Sequence, residues 1–464
     1  MIYLLFAIGR SIQKVQNKKW LYKKWLLLWG SAWGLNAAFF FPHYFFWLVF
    51  LFLVPIFYLA FHNLLSFGEG FVWGLLFAIA HYLPLIRIVG DNYRNYGGLL
   101  LISFLLLYVS VYAGLWFFVS KKGASFYSNN LALMGIWILG TYLYFVWMSS
   151  GALFIFGQWM GDPFAWPIIP LAYSPRWLIV VSFLPKTAIL LLLIVLSALI
   201  AFYVTYREKR YIIPIFLIFL PFALGSVYKT DDPKLPICCK KIGYLAPPDY
   251  DENAHPIDVA QNIYYRLAAL LEKRPDIKLI VMPESSYRFS LNKQQHVVDI
   301  WAIHALESRS FLIGSQRSEG PDVYNTAYLI EKGKIIDFYD KRYLMPLAEF
   351  IPTVYRNRAF FRDILLKENG SFCCGNVQKK KHITILNRAF EPYICYDFFF
   401  GSFLDKTTIP IILFVNDTYF QTSYMCNMML LYAKFKALDL KRDILYVGYY
   451  NATWINKSGK SLTI

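Results

Sequence analysis

Up to about residue 227 the chain is built of long apolar runs, and beyond it short apolar runs alternate with charged residues. A helix that crosses a bilayer needs about 20 mainly apolar residues. The runs predict seven such helices, near residues 25–41, 44–62, 69–87, 98–119, 131–148, 186–206 and 211–227. The opening Met1–Ile8 run is too short to span, and the basic residues after it lie on the wrong side of the apolar stretch for a cleavable signal peptide. The connection over about 149–183 is apolar and broken by Pro163, Pro167 and Pro170. That pattern fits a re-entrant connector or part of a lipid entry path equally well. From about residue 236 the period changes. Lys241–Ala246, Ile277–Met282, Phe311–Ser315, Thr326–Ile330, Lys334–Tyr339, His382–Leu386, Tyr393–Tyr396, Ile409–Val415 and Ile444–Gly448 read as strands. Helices are expected near 257–273 and 423–439. Strands interleaved with helices imply a layered α/β domain.

Composition supports this division. The chain is 58% hydrophobic and 16% charged, against about a quarter charged in a soluble domain, so lipid is part of its solvent. The net charge of +17 would suggest nucleic acid in a soluble protein, but no nucleic-acid motif accompanies it. The basic residues cluster beside apolar runs, which fits anionic headgroups and membrane orientation. Arg10, Lys14, Lys18, Lys19, Lys23, Lys24, Lys121, Lys122, Arg207, Lys209 and Arg210 fall on one side, and Arg87, Arg94, Arg176 and Lys186 on the other. The positive-inside rule then places the N-terminus in the cytoplasm, and seven spans deliver the C-terminal domain to the opposite face. The six cysteines form no paired Cys-x-x-Cys cluster of a zinc site, and no metal or soluble cofactor is expected.

Three residues at strand ends carry the candidate chemistry. Glu284 follows Leu279-Ile280-Val281-Met282-Pro283, Lys341 follows Phe338-Tyr339-Asp340, and Cys395 lies in Pro392-Tyr393-Ile394-Cys395-Tyr396-Asp397. Taken singly, each has an ordinary explanation as an exposed loop charge, a solvated lysine or a core cysteine. Their joint occurrence, in order and each at a strand end, points to a nucleophilic thiol served by a carboxylate and an ammonium.

Those segments, with Pro346 and Glu349 after Lys341, resemble the three signature segments of the nitrilase, or carbon–nitrogen hydrolase, superfamily. The run Lys341–Pro352, Tyr324–Ala327, Asn416–Phe420 and Ala433–Asp439, together with the apolar half, is similar to apolipoprotein N-acyltransferase. The chain departs from that family's pattern at Asp397, where Glu is usual, at Tyr419, where Trp is usual, and at Lys436 and Asp439, where Arg and Glu are expected.

The resemblance implies a multi-pass α-helical membrane domain over residues 1–227 and an α/β nitrilase-like (αββα sandwich) domain over 228–464, without the family's final strands and last transmembrane helix. It implies a catalytic triad of Glu284 as base, Lys341 as oxyanion donor and Cys395 as nucleophile, supported by Glu349, Tyr396, Asp397 and Asn416. The implied reaction moves a fatty acyl chain from phospholipid, through a cysteine thioester, to the N-terminal amine of a lipoprotein. The enzyme would work as a monomer in the bacterial inner membrane, with its catalytic domain in the periplasm. A membrane-tethered amidase and a non-catalytic nitrilase-like component of a conjugal transfer system are the alternatives.

Overall fold

A computed structural model describes residues 18–92, 97–125, 130–150, 166–174, 176–179, 184–227, 235–246, 255–287, 289–303, 309–344, 349, 372–376, 382–400, 407–417 and 423–464. Pro163, Pro346, Tyr419 and the basic residues Arg10, Lys14 and Arg94 lie outside them. The described residues fall into two compact units, one up to Val227 and the other from Leu235 onward.

The first unit is helical. Its elements are α1 (Lys18–Phe40), α2 (Pro42–Phe45), α3 (Val54–Phe61), α4 (Phe67–Asn92), α5 (Gly97–Ser125), α6 (Asn130–Ser150), α7 (Lys186–Tyr206) and α8 (Ile212–Val227). Each of the seven apolar runs is thus helical over most of its length. The stretches Pro42–Phe61, Asn130–Met148 and Lys186–Tyr206 are long and apolar enough to cross a membrane. Exposed Tyr22, Leu26, Trp29 and Trp33 on α1 and Leu139, Leu143 and Trp147 on α6 are the side chains that a lipid solvent accommodates.

Small residues let α4 and α5 approach closely. A Cβ on Gly70 would lie 2.5 Å from the Ala113 carbonyl oxygen, and one on Gly74 would lie 2.8 Å from that of Val109. This is the small-xxx-small contact of membrane helices.

The run expected as one helix over 44–62 is broken. Phe46–Phe50 forms a 3₁₀ turn between α2 and α3, and the carbonyls freed there are capped by neighbours. Ser31 Oγ donates to the Phe52 oxygen (2.5 Å) and Ser197 Oγ to that of Phe50 (3.1 Å). Non-helical backbone is tolerated at membrane depth only where protein supplies such partners. Trp166, Ile168, Ile169, Leu171 and Ala172 of the long connection are buried, and Ile169–Tyr173 packs on this broken segment. Residues 151–165 of the connection lie outside the described residues.

The second unit has two sheets. The first runs β1 (Ile242–Tyr244), β2 (Leu279–Met282), β3 (Ser310–Glu319), β4 (Asp322–Glu331), β5 (Lys334–Asp340) in spatial order. The first three strands are parallel, and β3–β4–β5 are antiparallel. The second has the order β11-β10-β9-β8-β7-β6, built from β6 (Ile383–Ile385), β7 (Arg388–Ile394), β8 (Ile411–Phe414), β9 (Ile444–Val447), β10 (Ala452–Ile455) and β11 (Ser461–Thr463). Here β7, β8 and β9 are parallel.

β2 shows why these runs are continuously apolar. All four residues are buried, with Leu279 and Val281 facing the second sheet and Ile280 and Met282 facing the covering helices. A strand covered on both faces has no polar side to show. The helices on that outer face are α9 (Pro256–Lys273) and α10 (Gln295–Ile303). Val259, Ala260, Ile263 and Leu267 of α9 form the apolar stripe against the sheet. The other sheet is covered by α12 (Ser423–Leu440), which packs on β9 and β10. The unit is therefore the αββα sandwich that the resemblance implies, and the whole is a helical membrane domain followed by a nitrilase-like α/β domain. The sequence pattern placed no strand beyond residue 448, yet the β10–β11 hairpin extends the second sheet there.

Candidate active site

Three strand ends converge. Glu284 lies two residues past β2, in a tight turn in which Ser285 takes a positive φ of 55°. Ser286 fixes that turn by donating Oγ to the Pro283 oxygen (2.6 Å) and its N–H to the Gly314 oxygen (2.9 Å). Position 314 must be glycine: a Cβ there would lie 2.4 Å from the Pro283 oxygen and 2.6 Å from the Glu284 Cα.

Lys341 directly follows β5. Its N–H donates to the Asn325 oxygen, and its carbonyl accepts from the Gly375 N–H, both at 2.8 Å. Cys395 directly follows β7 and takes a φ of 45°, a left-handed conformation that costs a non-glycine residue on the order of 1–3 kcal/mol. That kink turns the chain from β7 into the short helix α11 (Tyr396–Phe400). Its N–H is held by the Phe414 oxygen of β8 (2.7 Å), while its carbonyl accepts from the Phe398 N–H (3.0 Å).

The side chains meet in a charged cluster. The Lys341 ammonium is 2% exposed and donates to Glu284 Oε1 (3.1 Å) and Glu349 Oε1 (2.9 Å). The other Glu284 oxygen, Oε2, accepts from the Asn416 backbone N–H at 2.8 Å. The Cys395 thiol lies near enough to this group for the charges of Glu284, Lys341 and Glu349 to act on it. Cys395 keeps partial surface exposure, but protein atoms crowd its sulfur. That crowding, with the Glu284 charge, pushes the thiol well above its ordinary pKa against the opposing pull of Lys341. Burial works against the charge on Lys341, but Glu284 and Glu349 outweigh it and hold the ammonium well above the usual lysine range. At neutral pH the cluster therefore holds a protonated thiol and a firmly charged lysine.

The supporting residues separate. Glu349 is in the cluster. Asn416 contributes through its main chain. Tyr396 opens α11. Asp397 makes none of the hydrogen bonds of the cluster: it is fully buried and accepts from the Tyr339 hydroxyl and from the Tyr343 N–H (3.2 Å). Burial raises its carboxyl to about 6, although the Tyr339 bond and the Arg342 charge pull it down. Among the described residues no group of three or more His, Cys, Asp or Glu side chains is placed to hold a metal ion.

No family model matches the chain. The curated apolipoprotein N-acyltransferase of Wolinella succinogenes is 27% identical over 307 residues, which is 65% of this chain and 64% of that protein. The Agrobacterium fabrum apolipoprotein N-acyltransferase is 31% identical over 149 residues, covering 30% of this chain and 27% of its own. For the Helicobacter pylori one the figures are 22% over 233 residues, 49% and 53%. By sequence the chain is similar to apolipoprotein N-acyltransferases. The match spans less than two thirds of the length of each of these N-acyltransferases.

Among solved structures, a carbon–nitrogen hydrolase from Helicobacter pylori G27 superposes with a TM-score of 0.34 at 12% identity, over 48% of this chain and 84% of that one. A nitrilase-superfamily protein of Saccharomyces cerevisiae gives 0.32 at 16%, over 45% and 80%. At TM-scores this low the superpositions carry no argument.

One residue in the cluster escaped the sequence-based choice of site residues. Asn325 of β4 is buried, and its Nδ2 donates to Glu284 Oε1 (2.8 Å) and to Glu349 Oε1 (3.0 Å). Both of its N–H donors are thus spent on the two carboxylates. The signal was present. Asn325 lies in a segment that resembles the N-acyltransferases, and it is a polar residue on the same face of β4 as Ala327 and Leu329, which pack between the sheets.

Proposed function

We propose that this protein is a membrane acyltransferase that carries a fatty acyl chain on Cys395 and delivers it to an amine, with Glu284 and Lys341 as its catalytic partners. The observation that carries the reading is the Lys341 ammonium held between Glu284 and Glu349, with the Cys395 thiol near enough for all three charges to act on it. A thiol whose pKa is raised does not ionise by itself at neutral pH, so it needs a base within hydrogen-bond reach. Glu284 is that base.

In the first half-reaction Glu284 takes the Cys395 proton, and the sulfur attacks the ester carbonyl of a phospholipid. An ammonium has three N–H donors, and Glu284 and Glu349 occupy two of those on Lys341. The third is the donor assigned to the oxyanion, and the Tyr396 backbone N–H at the start of α11 is the second donor in this proposal. The intermediate then collapses, the C–O bond breaks, and Glu284 returns its proton to the leaving alcohol as a lysophospholipid departs. In the second half-reaction an amine attacks the thioester, Glu284 accepts its proton, and the C–S bond breaks. The thiolate is reprotonated, which restores the resting site.

The acceptor is an amine of a lipoprotein, as the names of the related proteins suggest, and in this proposal it is the α-amino group of a diacylglyceryl cysteine. Both substrates carry acyl chains, and drawing one into water costs roughly 0.8 kcal/mol per CH₂. A helical unit that keeps the α/β unit at the bilayer removes that cost, and a soluble amidase would have no use for one. The protein would reside in the bacterial inner membrane with its catalytic unit in the periplasm, as the distribution of basic residues supports.

The test is transfer. Purified protein is charged with acyl-labelled phospholipid and then given a lipopeptide bearing a free diacylglyceryl-cysteine amine. The reading expects a hydroxylamine-sensitive label on the protein that moves to the lipopeptide. Release of the label to water alone would make the protein a hydrolase, and absence of any label would leave a scaffold.

A further inference from the structure

The end of β5 is fixed from its outer face as well as from the inter-sheet face where Lys341 works. Asp340, its last residue, sits opposite Thr326 of β4. Its Oδ1 accepts from Arg317 Nε (3.0 Å) and from Thr326 Oγ1 (2.6 Å), and its Oδ2 accepts from Arg317 Nη2 (2.8 Å). That is a two-pronged guanidinium–carboxylate pair spanning three strands, the geometry that fixes orientation as well as charge. The guanidinium is itself held over the rings of Tyr324 (4.4 Å) and Phe338 (4.6 Å), and its Nη1 donates to Glu319 Oε2 (2.7 Å). Both partners are about seven-eighths buried, so water does little to weaken the pair.

Side chains alternate along a strand. Tyr328 and Phe338 pack on the helix-covered face, and Thr326 and Asp340 share it. Ala327 and Tyr339 face the other sheet, and Lys341 follows Tyr339 in that alternation. The clamp therefore grips the outer face one residue before the lysine leaves the inner face.

We propose that Arg317 and Asp340 are positioning residues for Lys341, setting the direction in which its ammonium enters the cluster; this rests on the reading of Lys341 as the oxyanion donor. The main chain of Lys341 is pinned by Asn325 and Gly375, but those bonds leave the tilt of the strand end free. The Asp340 carboxylate, gripped at both oxygens, removes that freedom. A lysine side chain magnifies a small rotation at its Cα, and a misplacement of about 1 Å in a catalytic group costs on the order of a hundredfold.

The test is a double-substitution cycle on the full chain in detergent–phospholipid micelles, reading the rate of Cys395 acylation from acyl-labelled phospholipid. Arg317→Met is expected to lower the maximal rate by about ten- to a hundredfold with the half-saturating phospholipid concentration within about twofold, and Arg317→Lys to fall between. In a Lys341→Met background, Arg317→Met is expected to add nothing, because the group it positions is gone. Equal effects in both backgrounds, or an Arg317→Met rate within about twofold of the parent, would overturn the proposal. A Lys341→Met rate near that of the parent would instead overturn the underlying reading of Lys341. Should Arg317→Met fail to fold, Thr326→Val removes one bond to Asp340 without changing charge. It is expected to lower the rate in the parent and leave it unchanged in the Lys341→Met background, and equal effects in the two would sink the inference.

Discussion

Asp397→Asn gives a prediction whose size and sign both come from the structure. The carboxyl is fully buried, with Tyr339 and the Tyr343 N–H as its partners, and burial raises its pKa from 3.8 to about 6. A shift of about two units corresponds to about 3 kcal/mol of difference between the protonation states. The folded value lies above the unfolded one, so between about pH 4 and pH 6 the native chain holds a proton that the unfolded chain has lost. Stability then falls as pH rises through that window, and the cost of the buried charge is complete above it. Asparagine keeps nearly the same shape and carries no charge at any of these pH values. Relative to the parent, Asp397→Asn is therefore expected to gain about 3 kcal/mol of stability between pH 4 and pH 7. Urea unfolding of the full chain in detergent, followed by hydrogen exchange on peptides from β7 to β9, isolates the transition of the α/β unit. A parent–variant difference that stays flat with pH would refute the reasoning, because it would mean that Asp397 titrates alike in both states.

Two further substitutions test the packing of charge around the sheets. Asn325→Leu removes both donors from Glu284 and Glu349 and is expected to slow Cys395 acylation about ten- to a hundredfold. Asn325→Asp, which faces two carboxylates with a third, should be slower still, and single-turnover acylation at parental speed in either variant would contradict the role of Asn325. In the second sheet, buried Arg442 donates to Glu391 Oε2 (2.6 Å) and to the Ile409 oxygen (2.7 Å). Arg442→Met leaves Glu391 with the Tyr393 hydroxyl but no counter-charge among the described residues, which should destabilise the α/β unit by about 3–5 kcal/mol, and adding Glu391→Gln should recover part of that loss. Urea midpoints of the two variants check this, and equal midpoints would contradict it.

The sequence was most legible where one physical demand dominates. Lipid demands long apolar helices, and each run read as a span is helical over most of its length, with one of them broken. A strand buried on both faces demands an unbroken apolar run, and β2 and β8 were found that way. It was least legible where neighbours in space decide. The break within Pro42–Phe61 depends on hydroxyls from Ser31 and Ser197, which nothing in the run itself announces. The start of β7 was missed because Arg388, Glu391 and Pro392 hide its apolar pattern, although Glu391 is neutralised by distant Arg442. The β10–β11 hairpin contains Asn456, Lys457, Ser458, Gly459 and Lys460 around its turn, and its short arms resemble loop. In the site, Glu284, Lys341 and Cys395 are legible from order and strand-end context and Glu349 from the resemblance; hydrogen bonds join the two glutamates to Lys341, and Cys395 lies where their charges act on it. Asn325 was passed over because its value lies in two carboxylates that approach it from elsewhere in the chain.

The central claim is that Cys395 carries the acyl group, and the most direct measurement is the mass of the peptide that contains it. Full-length protein is incubated with a phospholipid of defined acyl composition, quenched in acid and digested. The account predicts that the Cys395 peptide gains the mass of one acyl chain, that hydroxylamine removes it, and that the Cys395→Ser protein no longer passes acyl groups to an amine. An acyl adduct on another residue, or transfer at parental speed by Cys395→Ser, would contradict it.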